Sequence, residues 1–234
     1  MDIFQCRNYW NMDLHEWAFV VITANYLFYL LFYKLTSHRS GNLRAELHRI
    51  YQNWVDARLK DGDHLVSIQS IRNLLMTDSV FISALLIALG VFPSILSESW
   101  QDVEVSLFGL IHVRLVELQG FVIISILIIS LLNFILSIRY YNRLNILITA
   151  YPASEERANW ESVMGRNLMH SAFNRGQRHF MWGNKSFYYL IAAFTWLISS
   201  YLVIIFTCVI TIVLIVMDDI GKSQQTIHVG PVGK

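Results

Sequence analysis

Long apolar stretches alternate with shorter polar ones along this chain, and the alternation predicts its fold. A run of about 20 apolar residues is long enough to cross the hydrocarbon core of a bilayer as an α-helix. Such runs occur four times, which predicts transmembrane helices at about residues 14–35, 70–92, 119–138 and 186–217. The expected fold class is therefore an all-α integral membrane protein, with one membrane domain that covers residues 1–234.

Two of the polar connections have the periodicity of amphipathic helices. In residues 42–60, apolar side chains that include Leu47 and Trp54 recur on one face. Residues 154–173 begin with a candidate N-cap, Ser154, and two glutamates follow that suit the positive end of a helix dipole. Both segments are predicted to be cytoplasmic helices, which either pair as a small layer under the membrane or lie on anionic lipid.

The other connections contain the expected chain breaks. Pro93 is predicted to end the second transmembrane helix, because proline interrupts the hydrogen bonding of a helix interior. The sequence Asn-Arg-Gly at residues 174–176 is predicted to end the second amphipathic helix before the fourth span begins. Residues 103–116 fit two alternatives, a pair of strands or a short interfacial helix, and the pattern does not choose between them.

Composition supports the assignment to membrane proteins. Of the 234 residues, 55% are hydrophobic and only 15% are charged, which is too apolar for an ordinary soluble domain. A net charge of +1 argues against a nucleic-acid-binding protein. The two cysteines form no Cys-x-x-Cys motif and cannot build a disulfide framework.

Lysine and arginine are distributed unevenly over the predicted connections. Seven lie between Lys34 and Arg72, and seven lie between Arg139 and Lys185. The second connection contains only Arg114. Because positively charged loops are retained in the cytoplasm, the first and third connections are predicted to be cytoplasmic and both termini to lie outside.

Polar side chains in or beside the predicted spans are the candidates for function, because an ionisable group in a membrane is costly. The candidate pore, anion or lipid-headgroup residues are Arg72, Asn73, Asp78, Asn133, Arg139, Asn142, Asn174 and Arg175. On a helical wheel, Arg72 lies with small and polar residues such as Ser79, whereas Asp78 lies on another face with Ile71.

Two interpretations of these residues stay open. In the first, Arg72, Arg139 and Arg175 form a basic ring at a cytoplasmic mouth, which serves as an anion or headgroup site or as the entrance of a pore. In the second, the arginines and asparagines cap helices and hold the bundle together. Asp78 fits the second interpretation less well, because a buried carboxylate needs a partner or a proton.

Motifs for catalysis and metal binding are missing from the sequence. The eight histidines form no ligand pair with one another or with cysteine or carboxylate clusters. No P-loop, Gly-x-Ser-x-Gly or Rossmann fingerprint occurs. The sequence therefore predicts no enzyme, no metal site and no cofactor.

Several short motifs, taken together and in order, resemble a known family. They are Trp54 with Arg58, SIQSIRN at residues 67–73, LSIRYYN at 136–142, FNRG at 173–176 and FYY at 187–189. This combination resembles domain-of-unknown-function family 599, polytopic membrane proteins of bacteria and plants. The resemblance implies a membrane architecture and no particular activity. Asp78 stands where the resemblance leads us to expect a small or apolar residue.

The predicted function is a homo-oligomeric channel or transport-type pore of the bacterial inner (plasma) membrane. Its expected partners are membrane lipids, further copies of the chain and a small ion, with no nucleic acid. The alternative is a non-conducting membrane scaffold or regulatory subunit that docks a cytoplasmic partner or anionic lipid. Reconstituted ion flux distinguishes the two.

Overall fold

The computed structural model describes residues 14–36, 49–57, 64–98, 104–107, 111–150 and 164–219, which contain six helices and one hairpin. The elements, in chain order, are α1 (Leu14–Thr36), α2 (residues 49–57), α3 (His64–Glu98), β1 (Glu104–Leu107), β2 (Ile111–Arg114), α4 (Leu115–Thr149), α5 (Met164–Thr195) and α6 (Ser200–Asp219). The all-α class is confirmed. The strands pair antiparallel, so of the two alternatives for this connection the strand pair is correct.

Four of the helices are long and apolar enough to cross a membrane. The corresponding segments are Leu14–Phe32, Leu65–Ile95, Leu115–Thr149 and Ser200–Met217. The first three predicted spans thus fall on helices of sufficient length and hydropathy, and α3 and α4 extend beyond them. Pro93 does not end α3, which continues to Glu98. Proline removes only one backbone donor, and helices in membranes tolerate it when the surroundings compensate.

The prediction of one continuous fourth span at residues 186–217 is wrong, because a turn at residues 196–199 divides it. The first part of this apolar run belongs to α5, which also passes through residues 174–176, where a break was predicted. The second amphipathic helix and the start of the fourth span are therefore parts of one helix. Residues 154–163, the first part of that predicted amphipathic helix, lie outside the described residues.

Hydrogen bonds from side chains hold the turn between α5 and α6. The indole N–H of the buried Trp196 donates to Ser200 Oγ at 3.2 Å. The carbonyl oxygen of Trp196 accepts from Gln119 Nε2 of α4 at 3.0 Å. Ser199 Oγ accepts from the backbone N–H of Tyr201 at 3.3 Å, in the manner of an N-cap. The turn therefore forms without proline or glycine, which is why the apolar pattern did not reveal it.

Contacts between α4 and α5 show that the two helices run antiparallel over most of their length. Ser130 Oγ donates to the carbonyl oxygen of Gly183 at 2.9 Å, and Ser137 Oγ donates to that of Gly176 at 3.1 Å. Residues later in α4 therefore contact residues earlier in α5. Since α5 is followed by a tight turn, α6 must run in the direction of α4.

The other helices alternate in the same way. His15 Nδ1, at the start of α1, lies 2.6 Å from Ser200 Oγ at the start of α6, so these helices begin at one end of the bundle. We call this the upper end. The rings of Phe92 and Phe194, near the ends of α3 and α5, meet there at 5.6 Å. Five helices thus pass between the upper and lower ends.

The helix directions bear on the predicted placement of both termini on one side of the membrane. Four spans would return the chain to the side on which it started, and both termini were placed on one side for that reason. With five passes, the start of α1 and the end of α6 lie at opposite ends of the bundle. The helix directions therefore do not support that placement.

Among the described residues, the two largest of three apolar clusters fill most of the bundle. The larger occupies the upper part and includes Leu127 and Trp196. The smaller lies at the lower end, where α2 packs on α5 through Val55, which is 1% exposed, and through the ring of Tyr51, which lies 5.3 Å from that of Phe173. The first amphipathic helix is confirmed over its described part.

An ion pair joins α2 to α5 at this lower end. Asp56 accepts from Nε of Arg166 at 2.7 Å, and His170 Nε2 lies 2.8 Å from the same carboxylate oxygen. The hydrogen bond from Arg166, with the nearby His170, holds the pKa of Asp56 below its usual value of 3.8. This pair fixes the position of the α2 layer beneath the helices.

Candidate functional site

Asp78 lies on the interior face of α3 and has no exposed surface. Ile71 and Leu85, at helical spacing on the same face, are also buried. Among the described residues, neither carboxylate oxygen of Asp78 has a hydrogen-bond partner. Burying an unpaired ionised carboxylate costs on the order of several kcal/mol. The group therefore needs a bound proton or a cation to be stable where it lies.

Two hydroxyls of α4 interact with Asp78, and both direct their protons elsewhere. The neighbouring hydroxyls belong to Ser137 and Tyr141. Ser137 donates to the carbonyl oxygen of Gly176. Tyr141 donates to Oε1 of Gln177 at 2.8 Å. Their oxygen lone pairs remain available, so the site combines carboxylate and hydroxyl oxygens, which are ligands for a proton or a hard cation.

Glycines at a seven-residue spacing on α5 allow α4 to approach it closely here. A Cβ at Gly176 would lie 2.9 Å from Cε1 of Tyr141, and a Cβ at Gly183 would lie 3.1 Å from the ring of Phe134. Small residues at a helix interface permit such close packing in membrane proteins. Ser130 and Ser137 of α4 have the same seven-residue spacing, so each donates to the carbonyl oxygen of one of these glycines. The pair nearer the lower end, Ser137 and Gly176, adjoins Asp78.

The polar face of α3 is on the outside of the helix bundle. Arg72, Asn73, Ser79 and Ser83 are exposed, and a Cβ at Gly90 would meet nothing within 4 Å. The two serine hydroxyls donate to carbonyl oxygens four residues earlier in the same helix. The separation of this face from that of Asp78, predicted from the helical wheel, is confirmed.

A second polar group forms on α4 and α5, around the ring of Tyr140. The guanidinium carbons of Arg143 and Arg175 lie 5.8 and 5.9 Å from the ring centroid, and the imidazole of His179 stacks on it at 5.5 Å with an interplanar angle of 4°. Arg139 adjoins them in sequence and contributes to the same field. We call these five residues the Tyr140 cluster.

The Tyr140 cluster is held in place by Asn133. Nδ1 of His179 lies 3.1 Å from Oδ1 of Asn133, whose amide nitrogen donates to the carbonyl oxygen of Ile129 at 2.8 Å. Asn133 thus fixes the imidazole, and the imidazole in turn supports the Tyr140 ring. The arrangement positions arginine side chains from two helices at one place on the surface.

Lys185 is a charged residue whose predicted place in the third connection is wrong. It was counted with the basic residues of the third connection, but it lies within α5 and is only 7% exposed. Its Nζ lies 4.9 Å from the ring centroid of Tyr29 on α1 and 5.7 Å from that of Trp182. Cation–π contacts of this kind stabilise a desolvated ammonium group.

The eight predicted site residues therefore divide into separate places instead of one ring. Asp78 is alone in the interior, whereas Asn133, Arg139 and Arg175 belong to the surface group around Tyr140. The remaining four are exposed or half-buried and have no hydrogen bond to either place within the described residues; they are Arg72, Asn73, Asn142 and Asn174.

Sequence reasoning missed several residues that build these places. Ser137 and Gly176 beside Asp78 belong to seven-residue repeats on their helices, and that repeat was a readable signal. Tyr140, Arg143 and His179 gave no comparable signal. The contact of Tyr140 with His179 depends on the antiparallel packing of α4 and α5.

Fold and site together define a multi-pass membrane protein with a buried carboxylate and a basic surface group. The chain belongs to the family described as "Protein of unknown function, DUF599", whose family model matches residues 17–222. The resemblance seen in the sequence motifs is thereby confirmed. No curated protein and no solved structure matches the chain.

Proposed function

We propose that this protein is a membrane transport protein in which Asp78 binds the transported or coupling cation, with a proton as the simplest occupant. The observation that supports the proposal is a fully buried carboxylate in an apolar span, with no hydrogen-bond partner in the described chain. Ionisable residues within membrane segments commonly belong to ion pathways and proton relays.

The position of Asp78 offers a route from cation binding to a change of conformation. Asp78 belongs to α3, its hydroxyl neighbour Ser137 belongs to α4, and Ser137 bonds to Gly176 of α5. Charging or neutralising the carboxylate changes the electrostatic energy at the point where these three helices meet. A cation that binds there would therefore alter how the helices pack.

Flux into liposomes tests the proposal. Purified protein would be reconstituted with a pH-sensitive dye inside, and an imposed potassium diffusion potential would drive proton entry; sodium and potassium flux would be measured separately. Asp78→Asn keeps the shape of the side chain but removes its charge. Glu117→Gln is the matched control, because Glu117 is an exposed carboxylate that pairs with Arg114 at the upper end.

We expect flux by the wild-type protein and by Glu117→Gln, and at least a tenfold reduction in Asp78→Asn. Equal flux in Asp78→Asn and wild type would remove Asp78 from the mechanism. If no protein conducts protons, sodium or potassium, the transport proposal is wrong and the non-conducting scaffold becomes the better interpretation. Gel filtration of each variant verifies that it is folded.

Homo-oligomer formation is a separate part of the proposal. The exposed face of α3, with Ser79, Ser83 and Gly90, is more polar and less bulky than a lipid-facing helix requires, which favours contact with another copy. Ala193 and Thr207, small residues of α5 and α6, are buried within the bundle of the chain itself. Light scattering in mild detergent, with Ser83→Leu as the disrupting variant, would test the α3 face; a monomeric wild type would refute it.

The orientation in the bacterial inner membrane is also proposed. The lower end contains the α2 layer and the arginines around Tyr140, so the positive-inside rule favours a cytoplasmic lower end. Maleimide labelling of an Asn142→Cys variant, made in a Cys6→Ser/Cys208→Ser background, would test this in intact cells. Labelling by a membrane-impermeant reagent before lysis would contradict the orientation.

A further inference from the structure

The Tyr140 cluster is a concentration of positive charge on the surface of two packed helices. Arg139 and Arg143 come from α4, and Arg175 comes from α5; all three are exposed. In the described part of the chain, no carboxylate forms an ion pair with any of these three arginines. Like charges held near one ring repel each other, and an anion bound between them removes the repulsion.

The geometry around Tyr140 is suited to a phosphate group. Arg143 and Arg175 each place a guanidinium carbon within 6 Å of the centroid of the same ring, so both groups border Tyr140. Guanidinium groups donate in pairs to phosphate oxygens, and contact with an aromatic ring limits their freedom before the anion binds. The ring itself is fixed by the stacked His179.

Apolar residues of α4 point to the kind of molecule that carries this phosphate. Ile128 and Leu132 are 42% and 53% exposed, and they lie on the same face of α4 as Arg139 and Arg143. Seven residues separate Leu132 from Arg139, which is roughly 10 Å along a helix. An apolar strip that leads to clustered arginines matches an acyl chain that ends in a charged headgroup, whereas a free phosphate ion would leave the strip unused.

We propose that the Tyr140 cluster is a binding site for an anionic phospholipid, with the headgroup phosphate between Arg143 and Arg175 and an acyl chain along Ile128 and Leu132. The site joins α4 to α5, which are also the helices that pack beside Asp78. Bound lipid would therefore stabilise this helix pair. The proposal does not depend on transport by Asp78, since it rests on the outer surface of the bundle.

Native mass spectrometry of the detergent-purified full chain tests the proposal. The probes are phosphatidylglycerol, phosphatidylcholine and inorganic phosphate, each added to delipidated protein. The test variant is Arg143→Gln/Arg175→Gln. The control is Arg72→Gln/Arg114→Gln, which also removes two exposed arginine charges but at positions outside the Tyr140 cluster.

We expect the wild type and the control to retain phosphatidylglycerol at least tenfold better than phosphatidylcholine, and the Arg143→Gln/Arg175→Gln variant to lose that preference. Equal retention of the two lipids by the wild type, or an unchanged preference in the test variant, would overturn the proposal. If inorganic phosphate protects the protein against thermal unfolding as well as phosphatidylglycerol does, the cluster is a site for soluble anions. That result would also overturn the proposal. If the double variant fails to fold, Tyr140→Leu, which removes the supporting ring and leaves the charges, should weaken the preference.

Discussion

Replacing Gly176 by alanine tests the close packing of α4 and α5 beside Asp78. The new Cβ would lie 2.9 Å from Cε1 and 3.0 Å from Cδ1 of Tyr141. The Tyr141 ring is fully buried, and its hydroxyl is bonded to Gln177, so it cannot move away freely. Either the ring must shift or the two helices must separate.

The magnitude follows from two opposing effects. Inserting a methyl group into a filled interior destabilises by about 1–3 kcal/mol. Alanine also favours a helix over glycine by up to about 1 kcal/mol, which offsets part of the clash. Gly90→Ala on α3 is the matched control, because its Cβ would meet nothing within 4 Å and it has the helix-propensity effect alone. The difference between the two variants therefore isolates the clash, and we expect about 1–3 kcal/mol.

The free energy of unfolding, measured by titration with a denaturing detergent in mixed micelles under monomeric conditions, provides the assay. Gly176→Ala should be less stable than Gly90→Ala by the amount given above. In a Tyr141→Ala background the clash is absent, so the two glycine variants should then be equally stable. If Gly176→Ala and Gly90→Ala are equally stable in the wild-type background, α4 and α5 do not pack as closely as described.

Two further predictions concern the turn and the lower layer. Gln119→Leu leaves the buried carbonyl oxygen of Trp196 without its donor and should lower the free energy of unfolding by about 1–3 kcal/mol. The exposed Gln69→Leu is its control, and equal thermal stabilities of the two variants would refute the role of Gln119. Asp56 has a pKa below its usual 3.8 in the folded state, so its stabilising effect is present above about pH 4 and is lost as the pH falls further. Asp56→Asn should therefore lower the free energy of unfolding at neutral pH by less than about 1 kcal/mol, since Arg166 is half-exposed. This difference from the wild type should vanish in acid. A difference that is independent of pH would contradict the prediction.

Much of the fold could be predicted from hydrophobicity alone. The first three spans are runs in which nearly every side chain is apolar, and a bilayer requires such runs of any helix that faces lipid. The same reasoning failed for α5. A helix surrounded by protein can contain glycine, serine and charged residues. The pattern in the lower half of α5 therefore predicted an amphipathic surface segment. Its upper half is apolar and was joined to α6.

The candidate sites show a similar division. A helical wheel separated Asp78 from the face of Arg72, because both belong to one helix and their angular relation is fixed by its geometry. The ring predicted from Arg72, Arg139 and Arg175 required knowledge of which helices are neighbours. Arg175 does meet Tyr140, beside Arg139, since α5 runs antiparallel to α4.

The sequence by itself determined that this is a helical membrane protein, which family it resembles, where three of its spans lie and which face of α3 holds Asp78. Each of these properties depends on local composition or on the period of one helix. Only the tertiary structure decided that the bundle has five passes, that Lys185 is inside it and that Ser137 meets Gly176. These depend on how separate helices pack, and the physical reason is that a polar side chain inside a membrane is stable only where another helix supplies its partner.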